Sequence, residues 1–188
     1  MYEGVDTIVL QNELACQDVL PVVWKALPKP LDLAVVASLT ERNIRNLQVC
    51  ATIEEQGMVD KGDDKALHSA DLMRLEVKMN LILDLLGQLL AAQHPRPAAT
   101  AIRFNALGAV WKSSAPPRVG EQGLLDIYLR DSLAQPLSLP ASVTQVSADG
   151  QVKVAFTPPG EATADLIEKL AFRRHRRHVA GVRQPRRM

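Results

Sequence analysis

The densest concentration of chemically capable side chains is the run RRHRRH, Arg173 to His178. Guanidinium groups are permanently charged and present planar forks of donors, which suit phosphates and carboxylates. The run could therefore bind an anion: a nucleotide, nucleic acid or an acidic protein. The competing reading, and the favoured one, is a helix end whose cations match the negative pole of the dipole and are otherwise solvated. Metal binding is disfavoured, because Arg173, Arg174, Arg176 and Arg177 surround His175 and His178 and repel a cation. Cys16 and Cys50 stand alone, with no CxxC or Cys/His cluster. No Ser/His/Asp, paired-carboxylate or phosphate-loop pattern appears, so no enzyme is expected and no metal or cofactor is implied.

Composition narrows the class. The chain has 188 residues, room for one domain with an appendage or two small domains. Its 22 basic and 21 acidic residues nearly cancel, but unevenly. Residues 169 to 188 hold eight Lys or Arg and no acid, leaving fourteen bases against 21 acids before them. A nucleic-acid binder is not expected, since aromatic stacking platforms are missing. The N-terminus lacks the basic-then-apolar pattern of a signal peptide, and a cytoplasmic protein is the default.

The elements that must position these groups begin with a loose strand over 5–15, with a continuation to Val23 and Trp24 as the alternative. LPKP at 27–30 ends it. Asp32 can cap a helix to about Gln56, with Ile44, Leu47 and Ala51 as its packed stripe, facing a second helix. Asn43 and Asn46 are expected to be exposed, with buried register-setting amides as the alternative. GMVDKGDDK, 57–65, reads as a loop, so the two helices form a hairpin.

The second helix, 65–93, is the longest uninterrupted stretch. Leu72, Leu75, Met79, Ile82, Leu86 and Leu89 repeat at 3, 4, 3, 4, 3, a heptad seam with His68 one position upstream. At 1.5 Å per residue it makes a rod about 40 Å long. Leu83 and Leu90 at e, with Leu85 at g, widen the seam beyond a two-stranded zipper, although Glu76 and Lys78 hold e and g upstream. Either several chains associate through the rod, or another helix of the same chain covers it. Self-association is the expected reading. The charges at Glu76, Lys78 and Asp84 and the shortness of the apolar run exclude a membrane span.

HPRPAAT at 94–100 stops the rod. Strands are then predicted at 101–104, 109–111, 124–129, 137–146 and 151–156, with Asp149-Gly150 as a tight turn. Their spacing suits an antiparallel meander or small barrel. PPG at 158–160 precedes a helix over 162–178, packed through Leu166, Ile167, Leu170 and Ala171, with Gly181 as its C′ residue.

Taken together, IRFNALGAVW (102–111), PRVGEQGLLDIYL (117–129), DGQVKVAF (149–156) and LIEKLAFRRHRR (166–177) resemble the PilZ domain. The chain resembles an atypical, multimeric member of the xanthomonad type. The resemblance implies an α+β protein: a small antiparallel six-stranded β-barrel with a C-terminal helix, plus an inserted helical hairpin forming a coiled coil. Residues 1–30 would supply the strand completing the barrel, with 5–15 as that strand. Residues 31–93 would be the two-helix insertion, 98–180 the barrel and its helix, and 181–188 a basic tail. The family binds cyclic di-GMP through an RxxxR element and a (D/N)xSxxG element. Aligned on Gly108, Arg103 falls where the acid or amide belongs and Asn105 where the Ser belongs. No RxxxR precedes the barrel; Arg96 stands alone, and RNIR at 42–45 has the wrong spacing. Gly108 could instead serve a positive-φ turn.

The resemblance thus implies a non-enzymatic signalling or adaptor protein in bacterial cyclic di-GMP pathways, multimerised by the heptad helix. A tetramer is favoured, with dimer or trimer as alternatives, and an unknown protein partner is expected. Direct cyclic di-GMP binding is expected to be weak or absent by the usual motifs. The alternative is a genuine receptor using non-standard residues, for which the candidates are Arg96, Arg103, Asn105, Gly108, Arg173 and Arg174.

Overall fold

The computed structural model describes residues 9–10, 13–56, 96–131, 133 and 135–182, and eleven positions between 72 and 89. Eight strands and two long helices are defined, numbered in chain order: β1 (Val9–Leu10), β2 (Glu13–Leu14), β3 (Cys16–Ala26), α1 (Leu33–Gln56), β4 (Ala99–Phe104), β5 (Gly108–Lys112), β6 (Gln122–Ile127), β7 (Leu137–Val146), β8 (Gln151–Phe156) and α2 (Glu161–Val182).

Six strands close an antiparallel barrel in the order β3-β4-β5-β8-β7-β6. Period-two alternation builds it: one face of each strand turns inward and the other outward. Ile102, Phe104, Ala109, Trp111, Leu125, Ile127, Leu139, Val143, Val152 and Val154 form the inner layer. The turn at Asp149-Gly150 joins β7 to β8 as predicted, with Gly150 at φ 80°.

The strand that completes the barrel is β3, Cys16–Ala26, and not the 5–15 segment. Its first half pairs with β4, from Cys16↔Phe104 to Pro21↔Ala99, and its second half with β6, from Val22↔Ile127 to Ala26↔Gly123. One long strand thereby bridges two neighbours and shuts the cylinder. Pro21 sits where the partners change, the place in a strand that best tolerates a missing N–H. Upstream, β1 and β2 make a separate two-stranded hairpin outside the barrel, whose Leu10 packs with Ala15 and the outer side chain of Val110. The 5–8 portion of the predicted strand lies outside the described residues.

Helix α1 begins and ends where its sequence signals place it, but its buried face differs from the predicted Ile44/Leu47/Ala51 stripe. Leu39, Asn43, Leu47, Cys50 and Glu54 are the buried positions. They recur at 4, 4, 3 and 4, a better helical stripe than the apolar residues alone suggest. Among the described residues α1 packs on β7 and α2. Asn43 is buried rather than exposed: its Nδ2 donates to the Ser138 carbonyl (2.7 Å) and its Oδ1 accepts from the Ser138 N–H (2.9 Å). Asn46 Nδ2 donates to the Pro136 carbonyl (3.1 Å). These amides seat α1 on the start of β7 and set no coiled-coil register.

Helix α2 closes one side of the barrel with Ile167, Leu170 and Ala171. It runs through Gly181 to Val182, past the predicted stop. The rod's loop, 57–65, and the His68 extension lie outside the described residues. Every described position from Leu72 to Leu89 is helical.

Candidate functional site

The first candidate group is the turn between β4 and β5. Asn105 is buried at 1% exposure, and its side chain is fully engaged. Its Oδ1 accepts from the N–H groups of Leu107 (2.9 Å) and Gly108 (3.1 Å), an Asx-type turn, while its Nδ2 donates to the Leu10 carbonyl of the N-terminal hairpin (2.8 Å). Gly108 is not a positive-φ residue; positive φ occurs at Gly120, Gly150 and Gly160. What Gly108 provides is closeness, since a Cβ there would stand 2.3 Å from the Val154 carbonyl oxygen. Arg103 lies on the outer face of β4, opposite Val110, and is exposed.

Arg96 belongs to a second place. Its Nη2 donates to the Leu133 carbonyl (2.6 Å), and its Nη1 reaches the Arg130 carbonyl and the Asp131 carboxylate, each at 3.4 Å. Its guanidinium stacks over Tyr128, 5.0 Å from the ring centroid. The arginine therefore ties the chain entering β4 to the 128–133 loop after β6.

Arg173 and Arg174 occupy a third place. They are not a solvated helix end: their side chains are only 17% and 14% exposed, and both face the buried carboxylate of Glu54 on α1. Arg173 Nε lies 3.3 Å from Glu54 Oε2 and Arg174 Nε 3.4 Å from Oε1. Arg174 also pairs with Asp18 on β3 and donates to the Leu129 carbonyl (3.2 Å). Cys16 adjoins this cluster, and burial pushes its thiol up to about 11, with the Arg174 charge opposing. Such a thiol stays protonated and inert at neutral pH.

The six candidate ligand residues therefore fall in three places. Asn105 meets Gly108, and Arg173 and Arg174 share Glu54. Arg96 and Arg174 also converge on one loop, since both donate to carbonyls between Leu129 and Leu133. Sequence reasoning passed over the acids that hold these arginines, Glu54 and Asp18. Glu54 was findable, because it continues the Leu47, Cys50 spacing by one helical step. A second buried group was also missed: Asp126 accepts from the Ser138 hydroxyl and pairs with Lys25 (2.7 Å), while Arg42 Nη2 donates to the same hydroxyl (3.0 Å). This group raises the Lys25 pKa, chiefly through the Asp126 hydrogen bond. Among the described residues no cluster of His, Cys, Asp or Glu is arranged to hold a metal, and no helix is long and apolar enough to cross a membrane.

The remaining candidate face is the rod. Leu72, Leu75, Met79, Ile82, Leu86 and Leu89 are between 49% and 63% exposed within the single chain. Six large apolar side chains at heptad spacing form a contiguous patch of the kind that marks an interaction surface.

Comparison with known proteins fits this architecture. The family model described as an atypical PilZ domain, cyclic di-GMP receptor, matches residues 47–184. The chain belongs to the atypical PilZ domain family. Among solved structures, a pathogenic protein from Xanthomonas campestris, described as a new tetrameric PilZ domain self-assembled via an unusual helical bundle, is similar at 25% identity and a TM-score of 0.70. The alignment covers 91% of this chain and 93% of that one. No curated protein sequence matches the chain.

Proposed function

We propose that the chain is a non-enzymatic adaptor of cyclic di-GMP signalling, assembled through its heptad helix into a tetramer that presents several barrels to a protein partner. The observation that carries this reading is the exposed seam from Leu72 to Leu89. Several barrels on one assembly raise avidity for a multivalent partner without any new contact. The Xanthomonas relative, tetrameric through a helical bundle, supports the same reading.

Direct second-messenger binding by the usual motif is weak or absent in this proposal. The amide of Asn105 is consumed within the protein, Gly108 is packed against β8, and Arg103 brings a donor where guanine N–H groups need an acceptor. A second reading, a genuine receptor with a non-standard site, is favoured by the exposure of Arg103 and by the family's description as a cyclic di-GMP receptor. Calorimetric titration with cyclic di-GMP separates the two. No heat of binding at high micromolar ligand is expected; a micromolar or tighter affinity that Arg103→Ala abolishes establishes the receptor instead. Light scattering on the intact chain is expected to give four chains, and a monomer at high micromolar concentration overturns the adaptor reading.

A further inference from the structure

The chain has three phenylalanines. Phe104 and Phe156 belong to the barrel core, at 0% and 8% exposure, whereas Phe172 on the outer side of α2 is 54% exposed. Phe172 lines an open groove of about 740 Å³ between α2 and strand β2 of the N-terminal hairpin. The hairpin's wall of this groove is Glu13 and Leu14. An aromatic ring left half in water beside a concave surface is the kind of side chain that protein interfaces bury at their centres.

Helix α2 lines the groove with two rows, Asp165, Lys169 and Arg173 in one and Glu168, Phe172 and Arg176 in the other. Each row steps by four residues, about 6 Å along the axis, so the two are neighbouring i±4 ridges with a furrow between them. One ridge of a second helix fits such a furrow. The first row is already paired within the chain, Lys169 with Asp165 (2.7 Å) and Arg173 with Glu54 (3.3 Å). The second row is open. Among the described residues Glu168 makes no ion pair, and Arg176 lies over the Phe172 ring, 5.9 Å from its centroid. From its N-terminal to its C-terminal end the open row therefore reads acid, aromatic ring, cation.

We infer that this groove is the docking site for a protein partner, and that its occupant is an amphipathic surface helix presenting an acid, an apolar residue and a base at i, i+4 and i+8. Laid antiparallel to α2, the partner's acid meets Arg176, its apolar side chain enters between Phe172 and Leu14, and its base meets Glu168. Acid toward the N-terminus and base toward the C-terminus is also the order that the partner's own dipole favours. Glu13 and Glu168 put two carboxylates in the groove, which repel a nucleotide or an anionic lipid surface. The inference rests on the adaptor reading for its need of a protein partner, but not on the tetramer.

The test uses a fluorescent, alanine-based helical peptide carrying Glu, Leu and Lys at i, i+4 and i+8, titrated with the full chain by anisotropy. Saturable submillimolar binding is expected. Phe172→Ala should weaken it about tenfold or more, while the barrel's thermal transition is unchanged. Glu168→Lys, on an exposed side chain, should exchange the preference, so that a Glu–Leu–Glu peptide binds that variant about tenfold more tightly than the Glu–Leu–Lys peptide does. Absence of saturable binding, or binding that both substitutions leave unchanged, overturns the inference. Displacement of the peptide by micromolar cyclic di-GMP or by phosphatidylserine vesicles makes the groove an anion site and overturns it too. So does a fall in the mass of the peptide-free chain on Phe172→Asp, which makes the occupant a second copy. A chain that scatters as a monomer yet binds the peptide loses the assembly and keeps the groove, whereas a tetramer that ignores the peptide loses the groove alone.

Discussion

Helix α1 and the rod belong to the same stretch of chain, and their long faces make opposite use of a heptad-like stripe. In α1 the stripe is Leu39, Asn43, Leu47, Cys50 and Glu54, all buried within the chain. Its two polar members are matched to specific partners: Asn43 to the Ser138 backbone, Glu54 to Arg173 and Arg174. In the rod the stripe is Leu72, Leu75, Met79, Ile82, Leu86 and Leu89, without one polar member and about half exposed. Polar groups inside a stripe are tolerable only against a surface that satisfies each of them, so they belong to a docking that is always made. A purely apolar stripe demands shape and area alone, which in the proposed assembly a second copy of the same helix supplies.

The comparison breaks most readily at the rod. Replacing Met79, Ile82 and Leu86 with Asp removes three apolar contacts worth about 1.5–3 kcal/mol each per chain and puts charges face to face. Light scattering should then show loss of the proposed tetramer while the barrel's thermal transition survives. An unchanged mass means that the seam is not an interface. The next largest effect is expected at Glu54. Glu54→Leu leaves Arg173 and Arg174 without their buried carboxylate, which should cost about 3–5 kcal/mol in denaturant unfolding. A loss below about 1 kcal/mol would mean that this cluster behaves as a solvated one.

Asn43→Ala sharpens the contrast at smaller scale. It strands the N–H and carbonyl of Ser138 beneath α1, and about 1–3 kcal/mol should be lost. Asn43→Leu should do no better, because the unmet groups belong to β7. The smallest effect concerns pH. The Cys16 thiol is raised from 9.0 to about 11 in the fold, mainly by burial. Below pH 9 both folded and unfolded thiols are protonated and Cys16 contributes no pH dependence. Between pH 9 and 11 the unfolded thiol ionises first, so stability should fall as pH rises. Cys16→Ala should make that segment of the curve shallower, the Cys50 thiol, also raised by burial, keeping part of the slope, and native Cys16 should resist alkylation at pH 8.

Much of the barrel could be read directly. Strands β4, β7 and β8 alternate apolar and polar residues along much of their length, and Asp149-Gly150 marks the final hairpin. The barrel's first strand was displaced by several residues because Ile8 to Leu10 look more strand-like than the stretch around Pro21, yet closure depends on Cys16 to Ala26 reaching two neighbours. The stripe of α1 was misassigned for a related reason. Asn43 and Glu54 read as surface residues until β7 and α2 supply their partners, and those partners are about 95 and 120 residues away. The candidate arginines were legible as cations but not by destination. Arg96 spends its donors largely on backbone carbonyls, which every residue possesses and no side-chain pattern reveals, and Arg174 meets Glu54 and Asp18 from two distant elements.

The loop from Leu129 to Leu133 has a mechanical consequence. The chain goes out through α1, whose far end is held at Glu54 by Arg174, and comes back at Arg96; both arginines grip the carbonyls of this one loop. Departure and return share a single mount. The loop therefore ties together the two places where the described chain leaves and re-enters the barrel region.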